Sequence, residues 1–439
     1  MPERDATSMA DAGDRTGRSA TRRDALQALA AGGVALAALG APAAVAGDSA
    51  TDKAKGARAA ADAYFADRMA SERIPGLAVA VLRKSGVIWS RGYGWADMAR
   101  RIAMTPETIQ NIGSVSKTFT ATAVMQLLDA GRLGLDDDVN LHLGFKVVHP
   151  EHGAQPVTVR HLLSHRSAIA DGPAYANAYV CGDPEMSLED WLRAYLSPGG
   201  RFYDASRNFH PWAPGGKFSY ANVPYGLLAL IVERLSGIPF ADYCRERIFE
   251  PLGMRETSWY LRDIDLSRHA IPYSWVSGGE VRGPSWGGLP PAVIGDPAAA
   301  SRVDGDYAVN CLYNHPNFPD GFLRSSVNQL ARYAQAYLAA AGGDSRPLLQ
   351  ASTIRQMFRV ETGDDTRAMG LCWNAHYRAG KPLLWGHGGS DPGINANLRL
   401  RFEDGIAAVV LMNTNVGRPA LPAPLEFADY LVEHSIALL

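Results

Sequence analysis

Residues 112–119 read IGSVSKTF, which places two serines, Ser114 and Ser116, just ahead of Lys117. Over residues 115–133 the apolar positions recur at helical spacing, so this stretch is predicted to open a helix. Residues three apart share a helix face, which brings the Lys117 amine to the Ser114 hydroxyl and points Ser116 elsewhere. A lysine whose pKa is lowered by burial or by a neighbouring cation activates a serine hydroxyl as a nucleophile. The spacing therefore indicates Ser114 as the nucleophile and Lys117 as its base.

An ordinary serine at a helix start, followed by an exposed lysine, fits the same spacing, because Ser-x-x-Lys arises by chance about once in a chain of this length. The choice depends on partners elsewhere in the sequence. Three further stretches supply them: VTVRHLLSHRSAI at 157–169, APGGKFSYANVPYGLLALIVERLSG at 213–237, and WGHGGSDPG at 385–393. Three motifs in order and in fitting context favour the catalytic interpretation.

Together with NIGSVSKTFTATAVMQLLDAGRLGLDDDV at 111–139, these stretches resemble the serine β-lactamase-related superfamily. The branch is the one that holds class C β-lactamases, D,D-peptidases, D-aminopeptidases and β-lactamase-like esterases. The resemblance extends from about residue 60 to about residue 430 of the 439-residue chain. The second stretch departs from the branch's usual LLSHTSGL at Arg166, Ala168 and Ile169.

The resemblance implies a role for each partner of the nucleophile. Tyr220 is expected over Ser114 beside Lys117, where a nearby ammonium lowers the pKa of a phenol and lets it relay a proton. Asn222, on the same turn, is expected to hold Lys117 and to donate a hydrogen bond to the substrate amide.

The third motif is expected to form a strand edge along which a substrate lies. Gly388 and Gly389 let a substrate backbone approach closely. In this family the oxyanion hole pairs the nucleophile's own N–H with one just after the motif, which here means Ser114 and Ser390. His387 stands where class C enzymes have a lysine, and an imidazole at neutral pH binds a substrate carboxylate less firmly than an ammonium. This substitution favours peptidase, amidase or esterase activity over cephalosporin hydrolysis.

Periodicity along the chain predicts an α+β fold of the β-lactamase/transpeptidase-like kind. Before the first motif we expect an amphipathic helix at 54–70 and a hairpin made of LAVAVLR and VIWSRGYGWAD. Near the end of the chain we expect four strands and then a last helix at about 424–439; the strands are GLCWNAHYR, PLLWGHGG, NANLRLRF and IAAVVLMNTN. The pattern favours one antiparallel sheet flanked by helices, built from residues 52–135 and 320–439, with a mostly helical, loop-rich region at 136–319 inserted between them.

Residues 1–46 are predicted to be an export signal. Paired arginines, Arg22 and Arg23, lead into an apolar run and a small-residue cleavage site, an order that indicates the twin-arginine route to a periplasmic or extracellular location. The run is too short and too rich in Ala and Gly to be a membrane span. In an oxidising compartment Cys181 and Cys311, both in loop-like stretches, are expected to pair, whereas Cys244 and Cys372 are expected to be buried thiols.

Charge and composition point to a small-molecule or peptide substrate. Lys plus Arg number 43 and Asp plus Glu 45, so nothing in the net charge indicates nucleic acid or an anionic membrane. No CxxC pair occurs, and neither a metal nor another cofactor is expected. The sequence does not fix the oligomeric state.

Alternatives to this assignment are few. GPSWG at 283–287 matches the G-x-S-x-G motif of α/β-hydrolases with Ser285 as nucleophile, but the flanking prolines do not fit the strand and helix that this motif needs. His161 and His165 have the spacing of a zinc helix without the glutamate that should follow. Long connections carry aromatic residues that either line the substrate cleft or pack among themselves: Trp212, Tyr273, Trp275, Trp286 and Tyr313. Two other functions fit the same fold: a carboxylesterase, and a sensor or scaffold that acylates slowly or not at all.

Overall fold

Strands from both ends of the chain meet in one sheet, and a segment of short helices is inserted between them. The computed structural model describes residues 46–277, 280–282, 302–303, 305–343, 348–363, 368–415 and 423–439. The helices are α1 Ala46–Glu72, α2 Ser116–Asp129, α3 Val159–Leu163, α4 Pro173–Ala176, α5 Leu188–Leu196, α6 Val223–Ser236, α7 Phe240–Cys244, α8 Glu250–Leu252, α9 Val327–Ala341, α10 Ala351–Met357 and α11 Ala423–His434.

The strands are β1 Gly76–Arg83, β2 Gly86–Asp97, β3 Ile102–Ala103, β4 Gln110–Asn111, β5 Val180–Cys181, β6 Tyr273–Ser277, β7 Glu280–Arg282, β8 Arg302–Val303, β9 Tyr307–Val309, β10 Tyr313–Asn314, β11 Arg324–Ser325, β12 Thr362–Gly363, β13 Ala368–Met369, β14 Asn374–His376, β15 Leu384–Asp391, β16 Ile394–Arg401 and β17 Ile406–Met412. Nine of them form an antiparallel sheet in the order β12-β13-β14-β15-β16-β17-β1-β2-β3. The predicted α+β class and its sheet assembled from both chain ends are confirmed.

Strand β1 is the middle of the core because both of its faces are apolar. Successive side chains of a strand point to opposite faces. Ala78, Ala80 and Leu82 therefore lie on the face that packs with α9, whereas the alternating residues Val79 and Val81 belong to the apolar cluster that includes α1 and α11. Helices cover both faces of the sheet, and the C-terminal part of β15 contacts the turn that holds Ser114.

The inserted segment combines α3 to α8 with two small sheets, β10-β5 and β7-β6-β9-β8. A disulfide joins Cys181 to Cys311 beside the β10-β5 pair, and Cys244 and Cys372 are buried free thiols, so the predicted states of all four cysteines are confirmed. Residues Ala50–Leu439 group into one compact body. The boundaries 52–135, 136–319 and 320–439 stay a prediction.

The stretch GLCWNAHYR was expected to be a strand, and this prediction is wrong for its first half. Cys372 has a φ of 76° and donates its backbone N–H to the Leu163 carbonyl, which draws the segment out of the sheet toward α3. Pairing with β15 begins only at Asn374.

Several predictions concern other parts of the chain. Residues 1–45 of the proposed signal lie outside the described residues, and so do Ser285 and Trp286. Within the described ranges, no single helix is both long and apolar enough to cross a membrane; α6 together with Phe240–Leu252 has the length and composition, but the two parts are bent by 80°.

Candidate active site

Ser114 lies in a short 3-10 turn, Gly113–Val115, that leads into α2 and packs against the end of β15. Two glycines make this close approach possible. A Cβ on Gly113 would lie 2.9 Å from the Ser390 nitrogen, and one on Gly389 would lie 2.1 Å from the Ile112 carbonyl oxygen. The structure thus brings the backbone nitrogens of Ser114 and Ser390 to the same place, as expected for an oxyanion hole.

Lys117 is fully buried, and its Nζ donates three hydrogen bonds. The acceptors are Ser114 Oγ at 3.1 Å, Asn222 Oδ1 at 2.6 Å and the Asp320 carbonyl at 2.8 Å. An ammonium has three donors, so these contacts fix the group completely. Ser116 takes a structural role, because its Oγ accepts the Leu323 backbone N–H at 3.0 Å. The choice of Ser114 over Ser116 agrees with these contacts.

The pKa of Lys117 differs from the sequence-based expectation. Burial by itself lowers the pKa of the amine, but interaction with Tyr220 and the negative charge of Asp320 and Asp171 outweigh burial, and the net pKa is raised. The Asp320 carboxylate lies 3.6 Å from Nζ. The raised pKa favours the ammonium form of Lys117 in the resting protein.

Tyr220 completes the group around the nucleophile. Its phenol lies beside the Ser114 and Lys117 side chains, and Lys117 Nζ lies 5.1 Å from the centre of its ring. Burial raises the pKa of Tyr220, and the Lys117 ammonium offsets part of this rise. The ammonium lowers the pKa of Tyr220 as expected, but burial raises this pKa by more. The buried His165 ring stacks on the Tyr220 ring at 4.2 Å and fixes its orientation.

Asn222 is held from the side opposite Lys117 by Asp171, a residue that the sequence reasoning missed. The Asp171 carboxylate accepts the Asn222 backbone N–H at 2.9 Å, the Asn222 side-chain amide at 2.9 Å and the Val223 N–H at 3.1 Å. Protein atoms crowd Asp171 although it faces open cleft, and this desolvation raises its pKa to about 6. Asp171 thereby caps α6 and orients the acceptor of Lys117.

A cleft of about 300 Å³ opens above Ser114. It is lined by Gly113, Ser114, Asp171, Tyr175, Ala176, Tyr179, Tyr220, Asn222, Asp320, Gly321, Ser390, Asp391, Pro392 and Asn415. Three of these residues are aspartates, and among the described residues that line the cleft there is no Lys, Arg or His. The described side chains that line the cleft therefore offer no positive charge to an anionic substrate.

His387 does not line the cleft. Its side chain is 3% exposed and lies behind Tyr220, with ring centres 6.3 Å apart, and its Nδ1 bonds the Gly388 carbonyl at 2.6 Å. Burial and the nearby Lys117 charge lower its pKa to about 3, so the ring is neutral. Gly388, by contrast, is exposed. A neutral, buried His387 is not placed to bind a substrate carboxylate.

The other candidate residues lie away from this cleft. Trp212, Tyr273, Trp275 and Tyr313 are not among its lining residues, although the Tyr313 hydroxyl donates to the Pro392 carbonyl at 2.7 Å. Two tyrosines that were not singled out, Tyr175 and Tyr179, line it instead. Over the described part of the chain, no group of three or more His, Cys, Asp or Glu residues is placed to hold a metal ion.

A sequence profile of the Beta-lactamase family matches residues 61–429. The chain belongs to the Beta-lactamase family. Penicillin-binding protein 4* of Bacillus subtilis (strain 168) is 30% identical over 182 residues, 42% of this chain and 37% of that protein. The alignments span less than two fifths of the length of the first curated relatives.

Solved structures share the fold of this Beta-lactamase family member. D-amino acid amidase from Ochrobactrum anthropi SV3 superposes with a TM-score of 0.64 at 20% identity, covering 88% of this chain and 99% of its own. EstCE1, described as a hydrolase with promiscuous acyltransferase activity, gives a TM-score of 0.60 at 18% identity, covering 90% and 100%. The predicted family and the β-lactamase/transpeptidase-like fold are confirmed.

Proposed function

We propose that this Beta-lactamase family protein is a serine hydrolase that forms an acyl-enzyme at Ser114 on an amide or ester carbonyl. One observation carries the proposal: Lys117 is buried, saturated with hydrogen bonds and 3.1 Å from Ser114 Oγ, with the Tyr220 phenol in contact with both. A lysine with only a structural role would not require a serine hydroxyl, a phenol and a side-chain amide around its ammonium. Such an arrangement is suited to move a proton away from the serine.

The chemistry follows from these positions. In the reactive form, Tyr220 has lost its proton to solvent and is a phenolate beside the Lys117 ammonium. Ser114 Oγ attacks the carbonyl carbon while its proton passes to this phenolate oxygen, and the backbone N–H groups of Ser114 and Ser390 stabilise the negative oxygen that forms. The Lys117 ammonium stabilises the phenolate form of Tyr220 during this transfer. The same proton then goes to the leaving amine or alcohol as the carbonyl–heteroatom bond breaks. Water hydrolyses the ester to free Ser114.

The charge of the cleft supports a restriction on the substrate. D,D-peptides and lactams carry a carboxylate near the scissile bond, and recognition of it needs a cation. The lining residues offer three aspartates, and His387 is neutral and behind Tyr220. The proposed substrates are therefore amides or esters without such a carboxylate, in keeping with relatives named as an amidase and as the hydrolase EstCE1.

The place of action is proposed to be periplasmic or extracellular. Two observations support it: the basic and then apolar order of residues 1–46, and the Cys181–Cys311 disulfide, because disulfides persist in oxidising compartments.

Labelling with a fluorophosphonate, followed by mass spectrometry of the modified peptide, tests the proposed nucleophile. We expect modification at Ser114, its loss in Ser114→Ala, and its retention in the neighbouring control Ser116→Ala. Absence of labelling in folded protein would contradict the proposal and favour the scaffold alternative, and labelling at Ser285 would overturn the assignment.

A substrate panel tests the proposed class. p-Nitrophenyl acetate, an aminoacyl p-nitroanilide, a chromogenic cephalosporin and a D-Ala-D-Ala peptide should be compared at equal concentrations. We expect turnover of the ester and the anilide to exceed turnover of the two carboxylate-bearing substrates. The reverse order would contradict the charge argument.

A further inference from the structure

We propose that the Asp391 end of the cleft is a subsite for a substrate ammonium group, an inference that rests on the proposed function of Ser114. Asp391 directly follows Ser390, whose N–H is assigned to the oxyanion hole, and both residues line the cleft. Adjacent Cα atoms are about 3.8 Å apart. An amine bound at Asp391 would thus lie within a few bonds of the carbonyl under attack.

Asp391 is distinguished from the other two cleft aspartates by its contacts. Asp171 is occupied by the N–H groups of Asn222 and Val223. The Asp320 carboxylate accepts the Tyr175 hydroxyl at 2.8 Å and the Asn317 amide at 3.0 Å, and it lies 3.6 Å from Lys117. These two carboxylates serve the protein's own hydrogen bonds.

Asp391, by contrast, is contacted by neutral phenols. The Tyr179 hydroxyl donates to its Oδ1 at 2.8 Å, and the Tyr313 hydroxyl lies beside it. A phenol brings no positive charge, so a ligand ammonium would supply the charge that favours the carboxylate form of Asp391. Carboxylates bind ammonium groups through charge-assisted hydrogen bonds.

Asn415 gives a second and independent indication of a ligand. It is 4% exposed, it lines the cleft, and its Oδ1 has no hydrogen-bond partner among the described residues. A buried carbonyl oxygen without a donor costs free energy, and a ligand N–H would satisfy it. Together Asp391 and Asn415 offer two acceptors, which suits an ammonium and not an anion.

The fold places these two residues at the same end of the cleft. Gly393, in the turn after Asp391, packs on Pro272, since a Cβ added there would lie 2.8 Å from the Pro272 carbonyl carbon. The next residue, Tyr273, forms a β-bridge with Thr414, the neighbour of Asn415. One short segment therefore supports both acceptors.

The electrostatics of the subsite agree with a cationic ligand. Burial raises the pKa of Asp391 to about 8, and the Asp320 charge adds to this rise. A bound ammonium would reverse both effects by compensating the carboxylate charge. The groups that face Asp391 are Tyr179, Asp320, Lys117, Arg324 and Tyr313.

The amine belongs either to the acyl group or to the leaving group, and matched substrate pairs distinguish the two. Alanine p-nitroanilide, as each enantiomer, is compared with lactic acid p-nitroanilide, in which a hydroxyl replaces the ammonium. 2-(Dimethylamino)ethyl acetate is compared with 3-methylbutyl acetate, which has the same shape without the charge. We expect the amine-bearing member of one pair to have a kcat/KM about 10- to 100-fold higher, the size of one charge-assisted hydrogen bond.

Variants then assign the preference to the subsite. Asp391→Asn and Asn415→Leu should each reduce the ratio of kcat/KM within the preferred pair, to about threefold or less for Asp391→Asn. The control Asp67→Asn, at an exposed position of α1, should keep the ratio. A ratio near one in both pairs with the unmodified protein, or a ratio that Asp391→Asn leaves unchanged, would overturn the subsite.

Failure of the subsite can be told apart from failure of the proposed function. p-Nitrophenyl acetate carries no amine, and its hydrolysis reports on Ser114 alone. Hydrolysis of this ester, together with no preference for an amine in either pair, would rule out the subsite and leave the proposed function in place. Absence of both hydrolysis and labelling at Ser114 removes the proposed function.

Discussion

Replacing Asp171 by asparagine tests the arrangement that fixes Lys117. The new side chain would keep one oxygen for the backbone N–H groups of Asn222 and Val223, but its NH2 would face the NH2 of Asn222. At least one charge-assisted hydrogen bond of 2.9 Å is lost. Such a bond contributes about 1.5–3 kcal/mol, and exposure of Asp171 to the cleft favours the lower end. We expect the free energy of unfolding to fall by about 1–2 kcal/mol.

The effect on rate passes through Asn222, whose Oδ1 accepts from Lys117 at 2.6 Å. A rotated Asn222 amide no longer holds the ammonium on Ser114, so acylation should slow by about 10- to 100-fold, at about 1.4 kcal/mol for each factor of ten. The burst phase with p-nitrophenyl acetate measures acylation, and urea unfolding measures stability. Acylation by Asp171→Asn within about twofold of the unmodified protein, or an equal loss in Asp67→Asn, would refute this reasoning.

Four further predictions address the remainder of the site and fold. The pKa values of Lys117 and Tyr220 are both raised, so the pair is almost fully protonated at pH 7. Because only a pair that has lost one proton can accept the serine proton, acylation should accelerate from about pH 7 to pH 9 in a pH–rate profile. Gly389→Ala places a Cβ 2.1 Å from a carbonyl oxygen of the nucleophile turn and should slow acylation by about 100-fold or more in the burst assay. Ala168→Gly relieves a positive φ of 60° and should raise the free energy of unfolding by about 1 kcal/mol in urea titrations. Replacing both Cys181 and Cys311 by serine opens a loop with a sequence separation of 130 and should lower the free energy of unfolding by about 2–5 kcal/mol in the same titrations.

Sequence patterns predicted the sheet because its strands either are apolar runs or alternate apolar and polar residues, and because turns bound them. β1, β2, β16 and β17 appear where alternation and Gly or Asp turns place them. Short-range patterns failed at Cys372, where a hydrogen bond to Leu163, more than 200 residues earlier in the sequence, overrides strand propensity. Ala168 shows the converse, because it adopts the left-handed conformation that the family's glycine would favour.

Spacing and motif predicted that Ser114, Lys117 and Tyr220 lie together, as they do, but did not predict the charges around them. Asp171 and Asp320 lie in stretches without any motif, and their influence on Lys117 depends on distances that appear only in the folded chain. Asp391 had a signal, since it lies within the stretch 385–393 that carries the third motif. His387 was assigned by motif to the substrate, but the strand turns its ring behind Tyr220.

The pairing of β1 with β17 sets the order in which this protein can assemble. Leu77 pairs with Met412, so the centre of the sheet joins residues more than 300 positions apart. Folds dominated by such distant contacts form slowly, because the chain must close a long loop before the contact stabilises anything. During synthesis, Ser114 and Lys117 emerge long before β15 and β17 exist. The proposed nucleophile Ser114 therefore lacks its surroundings until nearly the whole described chain has been made, and a premature stop before residue 406 would leave a product without either a sheet centre or the candidate site.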